Sequence, residues 1–309
     1  MLLTLAPTVG LGRVLGVSAL LPARTAITIV AAALGVLLAL CCLAPRWRAL
    51  LPIAVALLVV AAFNVPVVLL RGFQISTPAT ASSGQLRVLE WNTNGDLVSP
   101  ATVARLASDL KAGVVVLPDA RIGVTASAYR SAFEAAGLRG RFYSGAGADA
   151  QLAVFITAGL AADYPSAQTG PQAQKTLVLR PSSAQLPTIV ALHANQPTPG
   201  GIGGWRDELQ WVESNCRAGA VLVVGDFNAS VDDFGSAGLG GCRDAAALTG
   251  AASVGTWPTT APAFLGMPID HALVTGMAGR VESFSVLTRE DGSGARHRPT
   301  LTVLSSPSR

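Results

Sequence analysis

Asp226 and Asn228 stand two positions apart just beyond the apolar run 221–224 (Val-Leu-Val-Val) and Gly225. Residues i and i+2 of an extended segment point the same way, so both side chains can meet one ligand. The aspartate supplies a base or a metal ligand, and the asparagine a donor to an anionic oxygen. The plainer alternative is a strand ending in an Asx turn, which these residue types also favour. The rest of the chain repeats the pattern. Asn92 and Asn94 follow the run 86–91, Asp119 follows 113–117, and His193 follows 187–192. Two further points lie near the C-terminus, Asp270-His271 and Arg296-His297. All three histidines of the chain fall in these segments, whereas a random scatter would leave some on an ordinary surface helix.

The elements that must position these residues follow from the apolar spacing. Residues 86–91, 113–117, 152–156, 176–179, 187–192, 221–224, 269–274, 281–287 and 300–304 read as strands, several apolar on both faces and so buried on both. Residues 100–111 carry Val103, Leu106, Ala107 and Leu110 at helical spacing; 125–136 and 203–216 also read as helices. Strands mixed with a few helices, without strict alternation, predict an α/β fold of two mixed sheets packed together with helices outside.

Half of the 309 residues are hydrophobic and only 13% are charged, too apolar for a soluble domain of this length. The excess sits at the start. Residues 25–44 and 50–70 are each long enough to span a bilayer as a helix. Between them lies Pro45-Arg46-Trp47-Arg48, which suits a cytoplasmic hairpin tip with an interfacial aromatic. That orientation predicts an extracytoplasmic domain. Arg13 interrupts residues 1–21, leaving a first span, an interfacial helix or part of a signal sequence. The expected organisation is an anchor of two or three transmembrane helices over 1–72, a linker over 73–85 and a domain over 86–305. Cys216 and Cys242 are the only cysteines beyond the anchor; they form one disulfide or remain two buried thiols. The net charge of +4 comes without a Lys/Arg-rich run, which disfavours a dedicated nucleic-acid binder.

The order Trp-Asn-x-Asn-Gly (91–95), Val-Val-Leu-x-Asp (115–119), Ala-Leu-His (191–193), Gly-Asp-Phe-Asn (225–228), Thr-Trp-Pro (256–258), Ile-Asp-His (269–271) and His-Arg-Pro (297–299) resembles the endonuclease/exonuclease/phosphatase superfamily. The resemblance covers roughly residues 86–304. It implies a DNase I-like four-layered α/β sandwich of two mixed sheets, here preceded by transmembrane helices. It also implies roles. Asn92 would support the phosphate or the nucleophile, and Asn228 would bind a phosphate oxygen. Asp119, with Asn94, would hold one Mg²⁺ or Mn²⁺ ion. His193 would protonate the leaving oxygen or hold the phosphoryl group. Asp226 would orient or deprotonate water, and Asp270 would fix the tautomer of His297, which acts on the phosphate. Hydrolysis of a phosphoester needs these parts: an activated water, neutralised charge and a proton for the leaving group.

Three positions depart from the family pattern. Asn94 stands where many members have a metal-binding Asp, and Asp119 where they have Glu. Arg296 replaces the acid before the last histidine, removing a candidate metal ligand and adding a cation that can bind phosphate. The expected protein is therefore an anchored, metal-dependent phosphoesterase acting on a lipid-linked or other envelope phosphoester, with the lipid bilayer as its other partner. The alternatives are an anchored nuclease or a non-catalytic phosphate-binding member. His271 is expected to pack behind the site, Asp96, Asp232 and Asp233 to be loop and turn residues, and Trp205 to anchor against the sheet or face lipid.

Overall fold

A computed structural model describes residues 2–237 and 239–305. The chain opens with α1 (Arg24–Cys41) and α2 (Leu51–Arg71), joined through a 3-10 turn at Pro45–Leu50 and packed along each other as a hairpin. Counted with its turn, the second segment runs Pro45–Arg71. Mean hydropathies of 2.1 and 2.8 make both segments long and apolar enough to cross a membrane, by length and composition. Ahead of them, among the described residues, lie the single turns Leu2–Leu5 and Val17–Leu20, each too short to cross a bilayer. Arg13 fastens this segment: its guanidinium bonds the Glu213 carboxylate and the Asp233 carbonyl (3.0 Å), and its own carbonyl accepts from Arg206 Nε at 2.8 Å. The opening segment is laid against the domain.

The domain contains β1 (Gln85–Glu90), β2 (Val114–Pro118), β3 (Gly140–Ser144), β4 (Leu152–Thr157), β5 (Ala167–Thr169), β6 (Thr176–Leu179), β7 (Thr188–His193), β8 (Val221–Asp226), β9 (Cys242–Asp244), β10 (Asp270–Thr275), β11 (Arg280–Val286) and β12 (Thr300–Ser305). They form two six-stranded sheets, β11-β12-β1-β2-β4-β3 and β5-β6-β7-β8-β10-β9. Each sheet is antiparallel except for one parallel pair, β1–β2 in the first and β7–β8 in the second.

Strand periodicity explains the layers. Val114 and Val116 face the other sheet, where they meet Ile189, Leu222 and Val224. Val115 and Leu117, on the opposite face of β2, pack under α3 (Pro100–Asp109) and α4 (Ile122–Ala135). Ser99 caps α3 by accepting from Thr102 N at 3.1 Å, and Val103, Leu106 and Ala107 form its buried stripe. On the second sheet, Val190 and Val223 pack under α5 (Ile202–Asn215) through Trp205, Leu209 and Val212. The result is four layers, helix–sheet–sheet–helix, as expected.

Cys216, just after α5, is bonded to Cys242 on β9 with Cα atoms 5.2 Å apart. The two readings of these cysteines resolve to a bridge. Asp232 and Asp233 lie in a turn, as expected, but they are not solvent-facing. Both are buried in the 3-10 segment Val231–Ala237. Asp233 accepts from the Ser230 amide (2.7 Å) and hydroxyl (2.8 Å). Asp232 pairs with Arg24 at 2.9 Å and Arg71 at 2.5 Å, so one carboxylate ties together the near ends of both hairpin helices. The exit of α2 is held as well: Ala252 N donates to Arg71 O at 3.1 Å and Gln74 N to Gly250 O at 2.9 Å. Residues 73–84 have no regular structure, but their first residues are fastened to the domain.

Candidate active site

The two parallel pairs bring their carboxyl ends together. Asn92 follows β1, Asp119 follows β2, His193 ends β7 and Asp226 ends β8. The parallel register sets His193 opposite Asp226, and the antiparallel register sets Asp270, at the start of β10, opposite Asp226 on its other side. Close approach of β7 and β8 depends on Gly225: at φ 148° a Cβ there would lie 2.0 Å from the Leu192 carbonyl oxygen, so no other residue fits.

The residues meet in a cleft of about 650 Å³. Asn92 Nδ2 donates to Asp226 Oδ2 at 2.8 Å, and the Asn228 amide donates to Asp226 Oδ1 at 2.8 Å. His297 Nδ1 lies 2.9 Å from Asp270 Oδ2. The Nε2 atoms of His297 and His193 each lie 4.0 Å from Asp226 Oδ2. Asn92 Oδ1 accepts from the Asn94 amide at 2.8 Å, and Asn228 Nδ2 donates to Ala194 O at 2.9 Å. Arg296 lies exposed on the cleft lining. All nine residues expected at the site thus border or support one cavity.

The surrounding motifs set these positions. Thr256 Oγ1 accepts from the Ile269 and Asp270 amides at 3.1 and 3.2 Å. Trp91 Nε1 donates to His297 O at 3.0 Å. Fully buried Arg298 binds Asp291 and the carbonyls of Gly255, Pro258 and Ala261, fixing the loops on either side of His297. Trp205 is buried and donates to Phe227 O at 3.0 Å, so it anchors the motif rather than facing lipid. His271 points away from the cleft, with Nε2 2.9 Å from Ala229 O and Asp244 3.5 Å from Nδ1.

Electrostatics separate the titratable groups. Burial, then the neighbouring Asp270, pushes the Asp226 carboxyl up to about 7. Burial opposes charge on His297, but Asp270, Asp226 and Asp119 outweigh it and hold the imidazolium up to about 9. Burial, assisted by Lys175 and His297, pushes His193 down to about 3. His193 is therefore neutral, which leaves holding the phosphoryl group as the suited role of the two expected for it. Of the two histidines that line the cleft, His297 is the one held as an imidazolium near neutrality.

Sequence reasoning missed three contributors. Glu90 lies fully buried beneath the site, and burial with Asp270 and Asp226 lifts its carboxyl well above the usual range; a charged residue inside an otherwise buried strand was the signal. Lys175, just before β6, lines the cleft. So do Ser18, Ala19 and Pro22 of the opening segment, which nothing in their types announced.

Two groups of side chains offer oxygen or nitrogen donors to a cation. Ligand atoms of Asp226, Asp270 and His297 lie within 4.8 Å of one another. In this arrangement His297 Nδ1 is hydrogen-bonded to Asp270 at 2.9 Å, the geometry of a proton-transfer pair. Asn94 and Asp119 offer a carboxamide and a carboxylate. Asn94 Oδ1 is buried without a partner, and Asn94 bonds Asp119, whose carboxyl burial raises. Free oxygen donors of this kind fit a hard cation such as Mg²⁺ or Mn²⁺.

Fold comparison gives relatives of the same architecture. TDP2 from C. elegans aligns at TM-score 0.57 and 14% identity, over 74% of this chain and 77% of that one. A humanized D. rerio TDP2 aligns at 0.59 and 16%, over 72% and 100%. The 3′ phosphatase NExo from Neisseria, bound to a product DNA hairpin, aligns at 0.54 and 17%, over 70% and 98%. No curated protein sequence matches. The sequence matches the Endonuclease/Exonuclease/phosphatase family over residues 89–300, more than half of the chain; this protein belongs to that family and is a phosphoester hydrolase.

Proposed function

We propose that the protein is a divalent-metal-dependent phosphoesterase, held to a membrane by α1 and α2 with its domain over 86–305 on the extracytoplasmic face, acting on an envelope phosphoester. The observation that carries the chemistry is the His297–Asp270 pair set 4.0 Å from buried Asp226. Asp226 takes the proton of the attacking water, whose oxygen bonds phosphorus. As the bond from phosphorus to the leaving oxygen breaks, that oxygen takes a proton from His297. Asn92, Asn228 and neutral His193 hold phosphoryl oxygens, and Arg296 and Lys175 supply positive charge at the lining. Asp119 and Asn94 would hold a Mg²⁺ or Mn²⁺ ion, which when bound neutralises charge on the phosphoryl group.

The Cys216–Cys242 bridge and the arginines flanking Trp47 at the far tip of the hairpin support the extracytoplasmic reading. A product DNA hairpin in the NExo structure favours a nuclease as the second reading. Screening the full chain against phosphomonoesters, phosphodiesters and DNA, with Mg²⁺, Mn²⁺ or chelator, tests both. Hydrolysis of a non-nucleic phosphoester that chelator abolishes is expected. Cleavage of DNA alone would select the nuclease, and full activity in chelator would remove the metal assignment. Arg296→Asp in the same assay is expected to reduce turnover. A gain in metal affinity and turnover would instead identify the natural arginine as a weakened metal site.

The pH profile follows from the site. Turnover is expected to rise through about 7 as Asp226 ionises and to fall through about 9 as His297 deprotonates, as apparent values of a coupled set. Asp226 bears its proton more tightly folded than unfolded, so the stability it lends at low pH is lost as pH rises through its folded value. Asp226→Asn is therefore expected to abolish activity while raising Tm above neutral pH by a few degrees. A lower Tm for that variant at pH 8 would contradict the assigned shift.

A further inference from the structure

The opening segment builds one wall of the cleft. Ser18, Ala19 and Pro22 line it alongside Arg296 and His297. Pro22 stands two residues before Arg24, the first residue of α1. Two residues of chain reach at most about 7 Å. One headgroup layer of a bilayer is about 5–8 Å deep, the difference between a ~30 Å core and a ~40–45 Å membrane shared over two faces. With α1 in the membrane, that wall lies at headgroup depth.

A second contact joins the domain to the hairpin. The 3-10 turn Ala263–Leu265 packs against α1, and Phe264 on it is 51% exposed. The chain then runs directly into the cleft through Met267 and Ile269. The lining residues nearest in sequence to these two contacts are mostly apolar: Ala19 and Pro22 from the opening segment, and Met267 and Ile269 with Trp257, which pairs with Met267; Ser18 and Arg296 are the polar members beside them. The position of the wall is fixed, because Asp232 pairs with both Arg24 and Arg71 and Glu213 with Arg13.

We propose that this apolar rim seats the hydrophobic part of a membrane-resident amphiphile, so that the substrate is a lipid-borne phosphoester whose headgroup enters the cleft from the bilayer surface. This rests on the anchored-phosphoesterase reading above and narrows its substrate class. A water-soluble phosphoester engages the polar groups but leaves the rim facing water. A lipid-borne one reaches the same groups while its tail stays among apolar neighbours.

The test uses the full chain reconstituted in phosphatidylcholine vesicles with Mg²⁺ or Mn²⁺. Phosphatidic acid or a long-chain polyprenyl phosphate is included in the bilayer; glycerol phosphate, glycerophosphocholine and DNA are offered in solution. Released phosphate, phosphocholine and nucleotides are quantified. At least one lipid-borne substrate, phosphatidylcholine included, is expected to exceed its soluble counterpart in kcat/KM by about a hundredfold. Phe264→Glu, near the rim but outside the cleft, is expected to lower the lipid-borne rate by about tenfold and the soluble rate by less than about twofold. Turnover of soluble phosphoesters or DNA without preference for lipid, or equal losses in the variant, overturns the inference and leaves the phosphoesterase reading standing. Absence of turnover on every substrate overturns both.

Discussion

His297→Ala is expected to lower kcat by about three orders of magnitude on the best substrate, within the ~10²–10⁴-fold range of general acid catalysis. Its imidazolium is held by Asp270, against the effect of burial, and so can donate a proton at neutral pH. KM is expected to change much less, because Asn92, Asn228 and His193 keep their places. Asp270→Asn offers a sharper check. It retains a side chain of the same shape but removes the charge that sustains the imidazolium, so the alkaline limb of the pH profile moves downward from about 9. Combining both substitutions should cost little more than His297→Ala alone, since the two residues act as a unit. A His297→Ala enzyme within tenfold of the natural rate would refute the proton-donor assignment.

Asp232→Ala is expected to be the most destabilising single change. Arg24 is only 2% exposed and Asp232 9%. Removing the carboxylate leaves two guanidinium groups facing one another, one of them buried, at a cost of about 3–5 kcal/mol. Arg24 retains Asn64 Oδ1 at 2.8 Å and the Leu3 carbonyl, neither of which carries a compensating charge. In detergent the variant should unfold roughly 5–10 °C earlier. Asp232→Asn, which keeps a hydrogen-bond acceptor, should lie between. An unchanged Tm would mean that the hairpin and domain are not mechanically joined through this residue.

The difference between what was readable in the sequence and what was not follows burial. Strands β1, β2, β4, β7, β8, β10 and β12 are buried along most of their length, so their branched and aliphatic runs announced them within a residue or two. The strands without a signal were β3, β5 and β9. All three are edge strands, paired on one side only; Gly-Arg-Phe-Tyr-Ser and Ala-Gln-Thr bury too little to leave a periodic trace. The motif residues were legible because strand ends concentrate polar types after apolar ones. Glu90 was hidden by the opposite circumstance, lying within a strand whose neighbours dominated the pattern. Ser18, Ala19 and Pro22 were hidden because their importance comes from packing seventy or more positions away along the chain. Asp232 looked like a turn residue because its partners, Arg24 and Arg71, belong to a different part of the chain.

The bond from Asn92 to Asp226 is more than a local contact. It crosses from one sheet to the other, and the remaining residues divide along that seam, with Asn92, Asp119 and His297 on one bank and His193, Asp226, Asn228 and Asp270 on the other. Neither bank alone holds both a proton donor and a base. Chemistry in this fold is consequently all-or-none with respect to assembly: a fragment bearing one bank has nothing to catalyse with, and any state that lets the halves part is silent before it is unfolded.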